Sequence, residues 1–402
     1  MRDQVNRRSF LKKAAFGGGG LLIVAAGGVV YRAWDQGALG SIYDGPAFQA
    51  WKEFKNERHQ GPLALASAAI LAASPHNTQP WLFQVNETGI DLFADPERKL
   101  GSPDPYRREM YIGLGCALEN MLIAARAGGY EPQLKILPQA DNPAFVARVE
   151  LRKGPADPSV HFRAIAERHT NRSEFDRARK LPRPVLDAFD TQVKSEQTRL
   201  AVFDAESMEG RLFAEGTIEA TEKFVADHEM MRDSDRWFRH SLHEINQHRD
   251  GLTMTGFGLS GLMLRAALAL PQSWLGDFGK MWIDATRQNH CATAPMFGLI
   301  AVRDQSDYGQ FIEAGRLWQR LHLEATVQGV AMQPLNQMME IADRDRLLNR
   351  EPETARKLAQ IVSDERWQVV FGFRSGYAKL PGQPGPRRSL EMVARNEPAS
   401  SG

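Results

Sequence analysis

GCALENMLIAARAGGYEPQ, residues 115 to 133, decides how this chain is to be read, because GRLWQRLHLEATVQGVAMQ, residues 315 to 333, runs beside it without a gap. Gly115 meets Gly315, Ala125 meets Ala325, Gly129 meets Gly329 and Gln133 meets Gln333. Apolar positions coincide too, Met121 with Leu321 and Ile123 with Leu323. Four identities in 19 positions stand against about one expected by chance. Two readings stay open: an internal duplication, with one chain imitating a dimer, or two ordinary buried helices that each end at a glycine cap.

Working outward, RREMYIGLGCALENMLIAARAGG (107–129) is apolar at nearly every turn and predicts a helix buried on all sides. Before it, PLALASAAILAAS (62–74) reads as a short helix, and WLFQVNETGIDLFAD (81–95) alternates across an Asn-Glu-Thr-Gly turn as a hairpin does. QLKILP and FVARVELRK after it read as strands, and GPADPSV (154–160) as a linker. In the second part TRLAVFD, APMFGLIAVRD (294–304) and RWQVVFGFRSGY (366–377) read as strands, YGQFIEAGRLWQRLHLEATVQGV (308–330) as a helix, and 205–270 as mostly helical. The tail beyond Pro381 reads as irregular.

The chain has 402 residues, 43% hydrophobic and 25% charged, enough for a sizeable core in two or three domains or one large one. Residues 1–33 hold six bases (Arg2, Arg7, Arg8, Lys12, Lys13, Arg32) and one acid, Asp3. The whole chain is +1, so the body is slightly acidic, which argues against non-specific nucleic-acid binding. Of the two cysteines, Cys116 lies in an apolar helical run and reads as a small buried hydrophobe. NRRSFLKK, with the pair Arg7 and Arg8, resembles a twin-arginine export signal in which Asn6 replaces the usual Ser or Thr. The glycine-rich stretch Ala14 to Tyr31 follows it. That resemblance implies passage of the folded protein through the twin-arginine translocase. The destination would be the periplasm or, if 1–33 is retained as an anchor, the outer face of the inner membrane.

Two polar segments carry the chemistry. ASPHNTQPW (73–81) packs Ser74, Pro75, His76, Asn77 and Gln79 between a helix and a strand, more polar groups than a surface turn needs. ERHTNRSEFD (167–176) sets Arg168, Thr170 and Arg172 at alternate positions, on one side of an extended segment, with His169 between them. Two guanidiniums flanking a hydroxyl suit a phosphate, since Arg donates paired charge-assisted bonds; a solvated charged loop is the plainer alternative.

Together these segments and the repeat resemble the FMN-dependent nitroreductase superfamily. RHTNRSEFD is similar to its flavin-phosphate loop, with Thr170 in place of Ser, and SPHNTQPWLF to the loop that reaches FMN across a dimer interface. PLNQ (334–337) stands where the family brings backbone to the flavin, so Pro334, Leu335 and Asn336 are implied contacts. PRRSLEMV (386–393) resembles the basic C-terminal element, which implies Arg387 and Arg388 as phosphate ligands. Here the Gln-Pro-Trp loop precedes the phosphate loop, the reverse of the usual order. That fits the fused, Acg-like branch. The implied fold is α+β, two tandem nitroreductase-like halves (34–153 and 161–393, with 394–402 as tail) of mixed sheets flanked by helices, forming an intrachain pseudo-dimer. It implies a monomer with one FMN and a helical insertion, 205–270, able to cover it.

The resemblance implies an oxidoreductase whose flavin N5 carries the chemistry, with no catalytic side chain and no metal, acting on an electron-poor substrate such as a nitroaromatic or quinone. Arg172 is a candidate for charge near flavin N1 or for the phosphate. The alternative is an FMN-storing protein with a lid. HSLHEINQHRDG (240–251) offers His240, His243, Glu244 and His248 on a helix, but not in the His-Glu-x-x-His order of zinc enzymes. GFGLSG (256–261) has no strand before it of the kind a dinucleotide loop requires.

Overall fold

The computed structural model describes residues 41–259, 261–269 and 276–396; the export-like segment 1–33 lies outside them. The first half opens with helices α1 (Gln49–Lys55) and α2 (Pro62–Ala69). Hairpin β1 (Trp81–Asn86) and β2 (Gly89–Ala94) follows, and alternation turns Trp81, Phe83 and Val85 of β1 into the core. Helix α3 (Arg108–Ala127) is buried from Arg108 to Ala125, as its all-round apolar surface demands. Strands β3 (Tyr130–Ile136) and β4 (Phe145–Lys153) close this half.

The second half begins with α4 (Val160–Ala164), α5 (Arg183–Asp190) and β5 (Thr198–Asp204). A helical excursion comes next: α6 (Met208–Ala226), α7 (His228–Asp235), α8 (Leu242–His248), α9 (Gly261–Ala269) and α10 (Phe278–Ala285). Then come β6 (Met296–Val302), the long helix α11 (Tyr308–Val327) and β7 (Ala331–Pro334). Helices α12 (Gln337–Leu347) and α13 (Glu353–Val362), neither singled out in the sequence, precede β8 (Gln368–Gly376). Among the described residues no helix is long and apolar enough to cross a membrane.

The two sheets repeat one plan. The first runs β1-β2-β4-β3 and the second β5-β6-β8-β7, with every neighbouring pair in these two runs antiparallel. In both, a strand pair leads into a 20-residue helix, then an edge strand, then a strand that returns between edge and pair. The architecture is α+β, two tandem halves of sheets flanked by helices. The tail departs from the irregular reading given to it: a short helix (Leu390–Val393) leads into β9 (Ala394–Asn396). That strand pairs in parallel with β1, Phe83 opposite Ala394, so the end of the second half completes the sheet of the first.

Helices α3 and α11 pack against each other through their glycines. A Cβ at Gly115 would lie 2.1 Å from the Ile312 carbonyl oxygen, and one at Gly315 would lie 1.9 Å from that of Ile112. Only glycine allows so close a reciprocal approach of backbones. Beside this crossing, Gln319 donates to Asn120 Oδ1 at 2.7 Å and Arg316 to Glu119 at 2.8 Å. Cys116 is buried and its thiol donates to the Gly315 carbonyl at 3.3 Å; neither cysteine forms a disulfide.

At the first turn of α3 lies a buried acidic cluster. Arg108 donates to Asp343 of α12 at 2.8 Å and to the Val370 carbonyl of β8 at 2.8 Å, and Glu109 lies 3.4 Å away. Asp104 caps the helix through the amides of Glu109 and Met110, both at 3.0 Å. Glu340 lies within hydrogen-bonding reach of Glu109, and both are buried.

Candidate functional site

The segment before β1 folds as a tight 3-10 turn, Pro75–Asn77. His76, Asn77 and Gln79 have φ of 45°, 53° and 52°, a left-handed conformation that side chains other than glycine adopt at a cost. Surrounding contacts hold it. Ser74 Oγ accepts from the Gln79 amide at 3.0 Å. The fully buried Gln79 side chain donates to the Arg249 carbonyl at 2.9 Å and accepts from the Arg388 amide at 2.8 Å. Asn77 Oδ1 accepts from Arg387 at 2.8 Å, and Asn77 Nδ2 donates to the Pro386 carbonyl at 3.0 Å.

The second loop arrives from the other half. Arg168 donates to the Leu71 carbonyl at 3.0 Å, and Arg387 donates to the same oxygen at 3.3 Å and to the Ala72 carbonyl at 3.1 Å. Both guanidiniums are buried, and among the described residues neither has a carboxylate partner. Arg168 Nε, Arg387 Nε and His169 Nδ1 are buried with no hydrogen-bond partner. Burial lowers Arg168 to about 10 and, with Arg168 adjoining, carries Arg387 well below the ordinary range. His169 is held down to about 3, first by burial and then by Arg168, Arg387 and Lys55. Arg168 Nη1 faces His322 Nδ1 at 3.3 Å, which leaves the imidazole proton on Nε2, directed at the His169 carbonyl at 3.3 Å.

The expected trio of Arg168, Thr170 and Arg172 on one side is corrected here. Asn171 is fixed by its amide on the Met332 carbonyl at 3.1 Å and its side chain on the Leu380 carbonyl at 2.7 Å, and the two arginines reach different partners. Arg172 donates to the Gly256 carbonyl at 3.2 Å beneath the Phe257 ring, 6.0 Å away, and Thr170 is half-buried. Arg168 is therefore paired with Arg387. Arg388 lies 3.6 Å from Asp95 and donates to the Gln79 and Met392 carbonyls, while its Nε is buried without a partner and burial, then Arg98, lowers it to about 10. Pro334, Leu335 and Asn336 are held against β8. Pro334 pairs with Phe373, the Leu335 amide donates to the Gly372 carbonyl at 2.7 Å, and Asn336 Oδ1 accepts from the Gly372 amide at 3.0 Å.

Around Arg172 stands a wall that the sequence did not reveal. Residues Thr286–Cys291 form a π-helix, a rare form often found at functional sites. Thr286 Oγ1, Asn289 Oδ1 and His290 Nδ1 in it are buried and unpartnered, while Asn289 Nδ2 donates to the Arg172 carbonyl at 3.1 Å. Arg374, stacked 3.8 Å from Phe175, donates to Gln333 at 2.7 Å and to the Ser173 carbonyl at 2.7 Å. Burial, then Arg374 and Arg172, depresses His290; burial, then Arg172, brings His76 to about 4. Nothing in the spacing of Thr286, Asn289 and His290 sets them apart from an ordinary helix.

The excursion from the second half covers both loops. His76 meets Ser234 at 2.9 Å, the Gly251 amide donates to the Asn77 carbonyl at 3.1 Å, and a Cβ at Gly258 would lie 2.6 Å from the Ser173 amide. Asp250 ties it down, accepting from Arg98 at 2.8 Å and Arg239 at 2.9 Å. The surface cleft bounded by Gln305, Asp343, Arg346 and Arg350 shares no residue with these loops. Among the described residues, no group of His, Cys, Asp or Glu could hold a metal ion.

No protein-family model matches the chain. Over 109 residues it is 30% identical to the Mycobacterium tuberculosis protein named "Putative NAD(P)H nitroreductase Rv3131", covering 27% of this chain and 32% of that protein. Over 135 residues it is 28% identical to "Putative NAD(P)H nitroreductase acg" of the same organism, covering 33% and 38%. The chain thus matches about a third of the length of these curated relatives. Among solved structures, the FMN-dependent nitroreductase NfnB from Mycobacterium smegmatis in complex with NADPH aligns with a TM-score of 0.38 and 17% identity, over 59% of this chain and 97% of that one. A nitroreductase with bound FMN from Desulfitobacterium hafniense aligns with a TM-score of 0.37 and 14% identity, over 60% and 99%.

Proposed function

We propose that this chain is an FMN-binding oxidoreductase of nitroreductase type, a fused pseudo-dimer in which each half supplies part of one site. One observation carries the reading: Arg168 of the second half and Arg387 of the tail converge, buried and without a carboxylate, on the Leu71 carbonyl beside the 74–79 loop of the first half. Two buried cations with unpartnered donors call for an anion, and a phosphate monoester offers oxygens to several donors at once. The residues present fit FMN: Arg168, His169 and Arg387 would hold its phosphate, and Ser74, His76, Asn77 and Gln79 would form the wall from the other half. Bound FMN would supply two-electron transfer to an electron-poor organic acceptor. Arg172, supported by Arg374, would place positive charge at the ring end. His76 and His290, kept neutral by burial, would offer hydrogen bonds there without adding charge. The similarity to proteins named as nitroreductases, and the same strand order in both halves, support this reading.

A second reading, storage of FMN without turnover, is favoured by the excursion, whose residues 234–258 bond to both loops. We further propose export through Arg7 and Arg8, a periplasmic or membrane-tethered location, and a monomeric state, since the seam between halves already buries α3 against α11. Native purification with acid release is expected to give one FMN per chain, and light scattering a monomer. A colourless protein that takes up no added FMN would sink the proposal. Reduction of the bound flavin by NAD(P)H, followed by reoxidation with a quinone, separates enzyme from store.

A further inference from the structure

Resting on that reading, we infer that Trp51 is a positioning residue of the anion site, aiming Arg387 and His169 at the phosphate. Trp51 lies on α1, outside every motif that brought the two loops to attention. Its buried indole has the Arg387 guanidinium over its face, Cζ 4.9 Å from the ring centre. The His169 ring meets it edge to face at 4.8 Å. Its Nε1–H donates to the Gly385 carbonyl at 2.8 Å, and the Arg387 amide donates to the Ala47 carbonyl at 2.7 Å, so both ends of the tail's approach are gripped from 47–51. Lys55, one turn along, pairs with Glu167 at 2.7 Å and ties the same helix to the arginine loop.

Arg387 needs such support. A cation without a carboxylate is held in place only by carbonyls, Asn77 and an aromatic face, and a desolvated cation–π contact is among the stronger of these. A tryptophan face also leaves the guanidinium's full charge available, where a carboxylate would neutralise it. The same ring fixes the neutral imidazole of His169. One side chain thereby orients two of the three donors proposed for the phosphate.

The test uses full-length protein freed of flavin and titrated with FMN and with riboflavin, which lacks the phosphate. Trp51→Leu is expected to weaken FMN roughly ten- to thirtyfold, the scale of a desolvated cation–π contact, and to leave riboflavin unchanged. Trp51→Phe keeps a ring face and is expected to recover most of that loss; it also serves as the comparison if the leucine variant fails to fold. If Trp51 acts through Arg387 and His169, the double variant Trp51→Leu/Arg387→Ala loses clearly less than the sum of the two single losses. Equal weakening of FMN and riboflavin, or losses that simply add, would assign Trp51 to packing and overturn the inference. Tight FMN binding by wild type and Trp51→Leu alike overturns it while leaving the cofactor reading intact. A wild-type protein that binds no FMN overturns that reading as well.

Discussion

Around Arg108 the chain supplies more carboxylates than cations; around Arg168 it supplies cations and no carboxylate. Both clusters are buried, and both bridge the halves, Arg108 through Asp343 and Val370, Arg168 through Leu71. Burial alone would lower Arg108, but Asp343, Glu109 and Asp104 hold it raised; Arg168 has no such neighbours and is lowered to about 10. A charge balanced within the chain belongs to the architecture. A charge left unbalanced at such cost marks a place where the balance is to be completed from outside.

That contrast is open to attack. The largest effect is expected from Arg108→Ala, which takes the buried partner from Asp343, leaves it only Arg346 at 3.2 Å, and should cost about 3–5 kcal/mol in denaturant unfolding. A loss no larger than for an exposed arginine would erase the distinction. Next comes Arg168→Ala: FMN affinity should fall by about 1.5–3 kcal/mol, a factor of roughly 10 to 150, with riboflavin unaffected and apoprotein stability undiminished. Unfolding of that apoprotein would move Arg168 into the architectural class.

Smaller is the response to pH, at most about 1.4 kcal/mol per pH unit for each proton. Burial lifts Glu109 to about 7, with Asp104 and Asp343 adding and Arg108 opposing, and Glu340 is raised as well. The stability this gives is complete below the ordinary carboxyl range and is lost as pH rises through about 7. The site histidines act in reverse. His169 is held at about 3 and His76 at about 4, so the unfolded chain takes up protons that the native site refuses, and stability falls as pH drops below about 6.5. Glu109→Gln should reduce the alkaline limb, with Glu340 left to supply the rest, and should spare the acid limb, as followed by chemical unfolding from pH 5 to 9; an unchanged alkaline limb would show that Glu109 is not a source of it. Smallest is inorganic phosphate, which should stabilise the flavin-free protein by about 0.4 kcal/mol at a concentration equal to its Kd. The Arg168→Ala variant should show no such thermal shift, and an equal shift in both would place phosphate elsewhere.

Much of this was legible in the chain. Helix α3 showed because it is apolar at nearly every turn, and the ungapped match of 115–133 with 315–333 set α11 beside it; that Gly115 and Gly315 meet at the crossing is seen only in the fold. The hairpin Trp81–Ala94 showed through strict alternation. What stayed hidden depends on contacts between distant segments. Arg168 looked paired with Arg172 because they are neighbours in sequence, yet its companion is Arg387, brought by a tail without periodicity. Strand β9 is three residues long, too short for a pattern, and exists because β1 offers it an edge. The π-helix differs from an α-helix in hydrogen-bond register, which side-chain spacing does not display.

That borrowed strand also sets a schedule. The sheet of the first half is finished at β4 except at one edge, and the strand that covers this edge comes from far along the chain. About 240 residues separate them, which at roughly 5–20 residues per second is tens of seconds of synthesis. For that interval β1 presents unsatisfied backbone groups along one side, a template for any passing strand. A ribosome-bound first half is therefore the species most in need of a chaperone, and that edge is sealed against aggregation only when β9 arrives.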